Sequence, residues 1–261
     1  MSLTLGSGPL AGHPGGPFNF EFDAPPHRIY FDDYPRRIRA LIDGRVVLDS
    51  MRGKLLHETG ILPRYYAPLE DFDQDLLEAT DHSTHCPFKG DASYWSIRVG
   101  ERVEENALWF YPDPIDASPW LEGYGSLYPE KADLWMQEDE PVRTHLRDPY
   151  HRVDVLESSR RVTVRANGEL IAESDRPKLV FETSIAPRAY LLRSDVRAGV
   201  LTKSEKTAAC GYKGEATYWH LRAGDETIED AAWSYESPLP EALRVASHLS
   251  FEGEGVEVEL D

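Results

Sequence analysis

Cysteine is nearly absent from this chain: two occur in 261 residues. Two thiols cannot build a disulfide framework, and without a Cys-x-x-Cys pair there is no zinc knuckle. No apolar run approaches the roughly 20 residues that a membrane-spanning helix needs. Positive charge is also scarce, with 28 Lys and Arg against 46 Asp and Glu, a formal charge of −18. Such a surface repels phosphate backbones and anionic lipid, so neither nucleic acid nor membrane is expected as a partner. There is no βαβ alternation and no Gly-rich phosphate loop, and no cofactor is expected. The opening "MSLTLGSGPLAGHPGG" lacks a basic start followed by an apolar core, so a cytoplasmic location is expected. Hydrophobic residues make up 41% of the chain, enough to bury a real core.

The chain is written twice. A shift of about 124 positions lays "RRIRALIDG" (Arg36–Gly44) on "RRVTVRANG" (Arg160–Gly168). It lays "KLLHETGILPRYY" on "KLVFETSIAPRAY", and "ENALWFYPDP" on "EDAAWSYESP". Roughly three positions in ten agree over about 100 without a gap, which marks an internal duplication. The repeats are expected at residues 36–137 and 160–261. A Gly/Pro-rich arm, residues 1–35, should be disordered or drape over a domain. The charged stretch 138–159 reads as a linker.

Each repeat reads as mainly β. Asp43-Gly44 and Asn167-Gly168 sit between apolar-alternating runs, a strong hairpin signal. "DASYWSIRVGERVEENALWFY" reads as two strands joined at Gly100, with Trp95, Ile97 and Val99 on the core face. "PWLEGYGSLYPE" reads as a short helix or loop, and "ADLWMQ" as a closing strand.

The repeated string "CPFKGDASYW" (Cys86–Trp95) and "CGYKGEATYW" (Cys210–Trp219) admits two readings. Pro87 fixes φ and Gly90 can take positive φ, so the string is a turn between strands, with Cys86 a small buried hydrophobe. Alternatively, Lys89 lies near the Cys86 sulfur and favours a nucleophilic thiolate, making Cys86 and Lys89 candidate catalytic residues. His82 and His85 flank Cys86, but Lys206 and Ala209 replace them in the second copy. The cluster "DHSTHC" carries metal-ligating side chain types, but no metal site is expected from its spacing.

An aromatic set also recurs: Tyr66, Tyr94, Trp95, Trp109 and Tyr111, then Tyr190, Tyr218, Trp219, Trp233 and Tyr235. These rings either fill the core or wall a ligand cleft. In the second case Glu58, Arg64, Lys89 and Arg98, with Glu182, Arg188, Lys213 and Arg222, would be the polar groups of the cleft.

"HETGILPRYY", "DHSTHCPFKGDASYWSI" and "ENALWFYPDP" resemble the bacterial domain-of-unknown-function family numbered 427. The weaker second copy departs at Gly211 and Ala208. The resemblance implies a tandem pair of β-tent-like domains, similar in fold to methionine sulfoxide reductase B and the thalidomide-binding domain of cereblon. Zinc, common in those relatives, does not carry over to a chain without knuckles. Aromatic ligand cages in some relatives favour the cleft. A nucleotidyltransferase-like label attached to the family finds no acidic metal pair here. The expected function is therefore binding of a small anionic or nucleotide-like ligand. The alternatives are an enzyme of unknown, transferase-like reaction using Cys86 and Lys89, or a protein-interaction scaffold.

Overall fold

A computed structural model describes residues 3–21 and 24–261. The chain divides into two compact units between Leu146 and Arg147. The first contains strands β1 (Ile29–Asp33), β2 (Ile38–Ile42), β3 (Arg45–Ser50), β4 (Lys54–Glu58), β5 (Ile61–Pro68) and β6 (Leu77–Cys86). It continues with β7 (Gly90–Val99), β8 (Arg102–Phe110), β9 (Tyr124–Leu127), β10 (Leu134–Gln137) and β11 (Glu140–Val142). The second unit contains β12 (Val153–Glu157), β13 (Val162–Ala166), β14 (Glu169–Ser174), β15 (Lys178–Glu182) and β16 (Arg188–Leu192). It ends with β17 (Leu201–Cys210), β18 (Gly214–Ala223), β19 (Glu226–Ser234), β20 (His248–Phe251) and β21 (Val256–Leu260).

Both units share one plan. A seven-stranded sheet runs β1-β4-β5-β9-β8-β7-β6 in the first and β12-β15-β16-β20-β19-β18-β17 in the second. A smaller sheet accompanies each, β11-β10-β2-β3 and β14-β13-β21. The protein is thus mainly β and built from two similar halves. Asp43-Gly44 and Asn167-Gly168 form the β2–β3 and β13–β14 turns with positive φ at both positions, the twist a two-residue hairpin needs. The stretch "PWLEGYGSLYPE", read as a short helix or loop, forms two single 3₁₀ turns, Pro119–Leu121 and Pro129–Lys131, with β9 between them, and the second unit has a six-residue 3₁₀ helix at Pro240–Val245. Gly123, at φ +76, and two prolines leave no run long enough for a helix. No helix among the described residues is long and apolar enough to cross a membrane.

Two findings revise the expected layout. The prolyl arm ends in a strand, since β1 pairs with β4 over Ile29–Asp33, and β12 does the same for the expected linker. Ahead of β1 the arm drapes over the β4–β5 turn. Gly60 N donates to Thr4 O at 3.0 Å, and the Arg28 guanidinium donates to Ala11 O at 2.9 Å. Met1, Ser2, Phe22 and Asp23 lie outside the described residues of the arm.

The second finding concerns the faces of β7. Ile97 is buried against β2 and β3, but Ala92 and Tyr94, on the opposite face, are buried as well. The large sheet therefore carries a core on each side. One, with Ile38, Leu48, Leu55, Ala67 and Leu108, faces the small sheet. The other, with Leu56, Tyr66, Tyr94, Trp109 and Tyr111, is an aromatic interior. Burying each such side chain contributes about 1.5–3 kcal/mol. The second unit repeats the arrangement.

Gly90 opens β7 at φ +106, and a Cβ there would stand 3.3 Å from Asp113 O. Gly214 has the same strain and the same neighbour in kind, Ser237 O at 3.3 Å. At Gly100 φ is +59 and a Cβ would meet nothing within 4 Å. Gly90→Ala should cost about 1–3 kcal/mol in urea unfolding of the full chain. It should cost more than Gly100→Ala; equal losses would show that the approach to Asp113 carries no weight.

Candidate functional site

The repeated string builds a turn that reaches across the sheet. Lys89 N donates to Cys86 O at 3.2 Å, closing the tip of the β6–β7 hairpin, and Ile115 N donates to Lys89 O at 3.1 Å. The Lys89 side chain turns inward, and its ammonium donates to Glu58 Oε2 at 2.6 Å. Glu58 ends β4 and Lys89 precedes β7, so the pair spans from one edge region of the seven-stranded sheet to the other. Both residues are buried, at 5% and 8% exposure. The remaining carboxylate oxygen, Oε1, lies 3.2 Å from His27 Nε2, and the His27 ring stacks on Phe88 with centroids 4.0 Å apart. The second unit copies each part. Lys213 and His151 both pair with Glu182, and Tyr212 packs on the His151 ring at 4.0 Å.

This arrangement assigns the string. The aromatic at position 88 or 212 holds the histidine, and the lysine satisfies the glutamate. The glycine admits the turn. Lys89 is thereby committed to Glu58. Cys86 is half-buried against the aromatic interior. His82 packs on the Tyr94 ring at 4.5 Å, and His85 Nδ1 pairs with Asp91 at 2.6 Å on the exposed side. Among the described residues, no three His, Cys, Asp or Glu side chains converge to hold a metal ion.

The aromatic residues fill the interior. Trp109 Nε1 donates to Tyr66 Oη at 3.0 Å with the rings edge-on, and Trp233 does the same to Tyr190 at 3.0 Å. Tyr94 Oη shares a 2.8 Å hydrogen bond with Thr84 Oγ1. Burial pushes the Tyr66 phenol well above its ordinary value and Tyr190 up to about 12, so both stay neutral hydrogen-bonding groups.

Beyond this shared frame the units differ. In the second, the Arg188 guanidinium lies 4.8 Å from the Trp233 ring centroid and pairs with Glu252 at 3.1 Å, while Lys206 covers Tyr218 at 4.5 Å. In the first, Tyr128 stands where the repeat has Glu252, and it packs on Trp109 at 4.4 Å. Arg64, the counterpart of Arg188, is exposed and has no carboxylate partner among the described residues. It lines a cleft of about 340 Å³ formed with Leu55, Leu62, Tyr65, Leu127, Trp135, Val142 and residues 144–146. Of the residues singled out in the sequence, only Arg64 reaches this cleft. Glu58, Tyr66, Lys89, Tyr94 and Trp109 lie in the interior or the tie, as do Glu182, Tyr190, Lys213, Tyr218 and Trp233 in the second unit. His27, Tyr65, Trp135 and Thr144 escaped the sequence reading. His27 was detectable, because the same shift carries His27-Arg28 onto His151-Arg152.

Taken together, the chain is a tandem pair of all-β units, each with a large sheet tied across by a buried Lys–Glu–His group. The sequence profile of the family described as "Domain of unknown function (DUF427)" matches residues 31–138 and again residues 154–261. The chain belongs to that family. No curated protein matches it.

The tie makes two predictions. Lys89→Met strands a buried carboxylate and should cost about 3–5 kcal/mol of stability in chemical unfolding. Pairing it with Glu58→Gln, which keeps an acceptor for His27, should restore about half of that loss or more. The second concerns acid. Burial alone would raise the Glu182 carboxyl, but hydrogen bonds from His151 and Lys213 and their charge outweigh it and hold the group at about 2. Between the ordinary 4.5 and about 2, the unfolded chain therefore binds more protons than the folded one. The stability from Glu182 is complete above that window and drains as pH falls through it. Amide exchange along β15 should accelerate across the window, and Glu182→Gln should flatten that dependence.

Proposed function

We propose that the first unit is a receptor for a small organic molecule, bound in the cleft between Arg64, Tyr65 and Trp135. The observation that carries this is a free guanidinium on an aromatic- and aliphatic-walled cleft. An exposed cation with no internal partner beside an apolar hollow is the usual build of a ligand site, and about 300–1,000 Å³ is the usual size. The second unit lacks the ingredients. Tyr65 becomes Ala189, Leu62 becomes Ala186 and Trp135 becomes Glu259. Its arginine is also already paired. Binding therefore belongs to one unit, and the second supplies the same frame without the cleft.

The cleft offers a direct test. One wall is the segment around exposed Arg143, a tryptic site. A ligand found by thermal-shift screening of organic acids, amides and nucleotides should slow cleavage after Arg143, and Trp135→Ala should abolish both effects in a folded protein. Trp109→Ala should instead lower stability by about 3–5 kcal/mol, as loss of a core ring does. A hit that survives Trp135→Ala, or a screen without hits on folded protein, would end this reading.

A further inference from the structure

The chemistry of the cleft narrows the ligand class. We infer, resting on the receptor reading above, that the ligand is a monocarboxylic acid with an apolar body, not a nucleotide. The walls are Leu55, Leu62, Leu127, Leu146 and the rings of Tyr65 and Trp135. They offer contact to hydrocarbon or a ring. The Trp135 Nε1 donor is already spent on Pro129 O at 3.0 Å, so the indole presents an apolar face. Ser126 Oγ is likewise committed, donating to Tyr65 O at 2.7 Å.

Besides the Arg64 guanidinium, the lining holds two buried hydroxyls without a hydrogen-bond partner, Tyr65 Oη and Thr144 Oγ1. The Arg64 guanidinium is a planar fork that matches a carboxylate with two parallel N–H···O bonds. Thr144 Oγ1, in the same lining, is buried without a hydrogen-bond partner. A hydroxyl so placed is satisfied when a ligand oxygen reaches it.

Charge sets the upper limit. Glu130 also lines the cleft, and the chain as a whole carries −18. One guanidinium beside one carboxylate leaves no surplus positive charge, so a phosphate dianion is disfavoured more strongly than a single carboxylate paired with Arg64. A nucleotide phosphate group would need further cations or a nest of backbone N–H groups. The lining has neither a lysine nor a glycine turn, and its histidine, His145, has Nδ1 at 2.9 Å from Leu146 O.

Calorimetry on the full chain, with octanoate and 2-naphthoate against their amides and against AMP, tests this. At least one acid should bind about tenfold more tightly than its amide or better, and AMP should bind more weakly than either. Arg64→Gln should erase the preference for acid over amide, and Arg64→Lys should keep part of it. Arg64 is exposed and unpaired, so both variants are expected to fold. Thr144→Val should weaken the acid while leaving the fold intact. If an amide binds as well as its acid, or if AMP binds best, the carboxylate inference fails and the receptor reading stands. If neither acids nor amides nor AMP bind the folded protein, both fail.

Discussion

A lysine and a glutamate drawn out of water hold each seven-stranded sheet together across its width. An antiparallel sheet twists of its own accord, but with two free edges nothing fixes how far it closes until something joins them. Here Lys89 and Glu58 join the β6–β7 tip to the end of β4, and the bend encloses Tyr66, Trp109 and Tyr111. A buried ion pair adds little net stability over an apolar pair of the same shape, because desolvation consumes most of its attraction. What it supplies is direction. An ammonium beside a carboxylate at 2.6 Å, with a histidine on the second oxygen, fixes one geometry where packed leucines would accept several.

That constraint explains which residues the repeats share. The string from Cys to Trp was visible as a fold signature, and its turn chemistry follows from Pro87 and Gly90. Its purpose was hidden, because the partners of Phe88 and Lys89 lie far away in sequence. His27 sits among prolines in a stretch that reads as an arm. The strand after it diverged, "IYFDD" against "VDVLE", so the match fades where the histidine stands. A tie needs only the imidazole in place, and an edge strand tolerates substitution.

Periodicity misled for a related reason. Alternation along β7 assigns one face to the core when a sheet is flat and wet on one side. Once the sheet curls around one face and the small sheet covers the other, both are dry. Ala92 and Tyr94 then become interior as surely as Ile97. The recurring aromatic set was legible from sequence as a set. Whether it was core or cavity was not, because that depends on closure by the tie. The hydrogen bond from Trp109 to Tyr66 and its copy from Trp233 to Tyr190 show rings occupied with one another.

Duplication supplies a control that a single domain lacks. Two copies must both fold, so what they share answers first to folding: the tie, the turn glycine, the Trp–Tyr pair. What they do not share is free of that demand. Tyr65 against Ala189 is the clearest case. The larger ring lies over Gly53, where a Cβ would stand 2.2 Å from it, and the second copy matches its small Ala189 with Pro177. Both members of the pair differ between the copies, and the second has no ring hydroxyl there. Tyr128 against Glu252 has the same character: the exchange removes the carboxylate that neutralises Arg188 and leaves Arg64 unclaimed. A charge released from its partner costs the fold nothing on an exposed rim. It also has no structural use there, and so the search for function belongs at the positions where the two copies disagree.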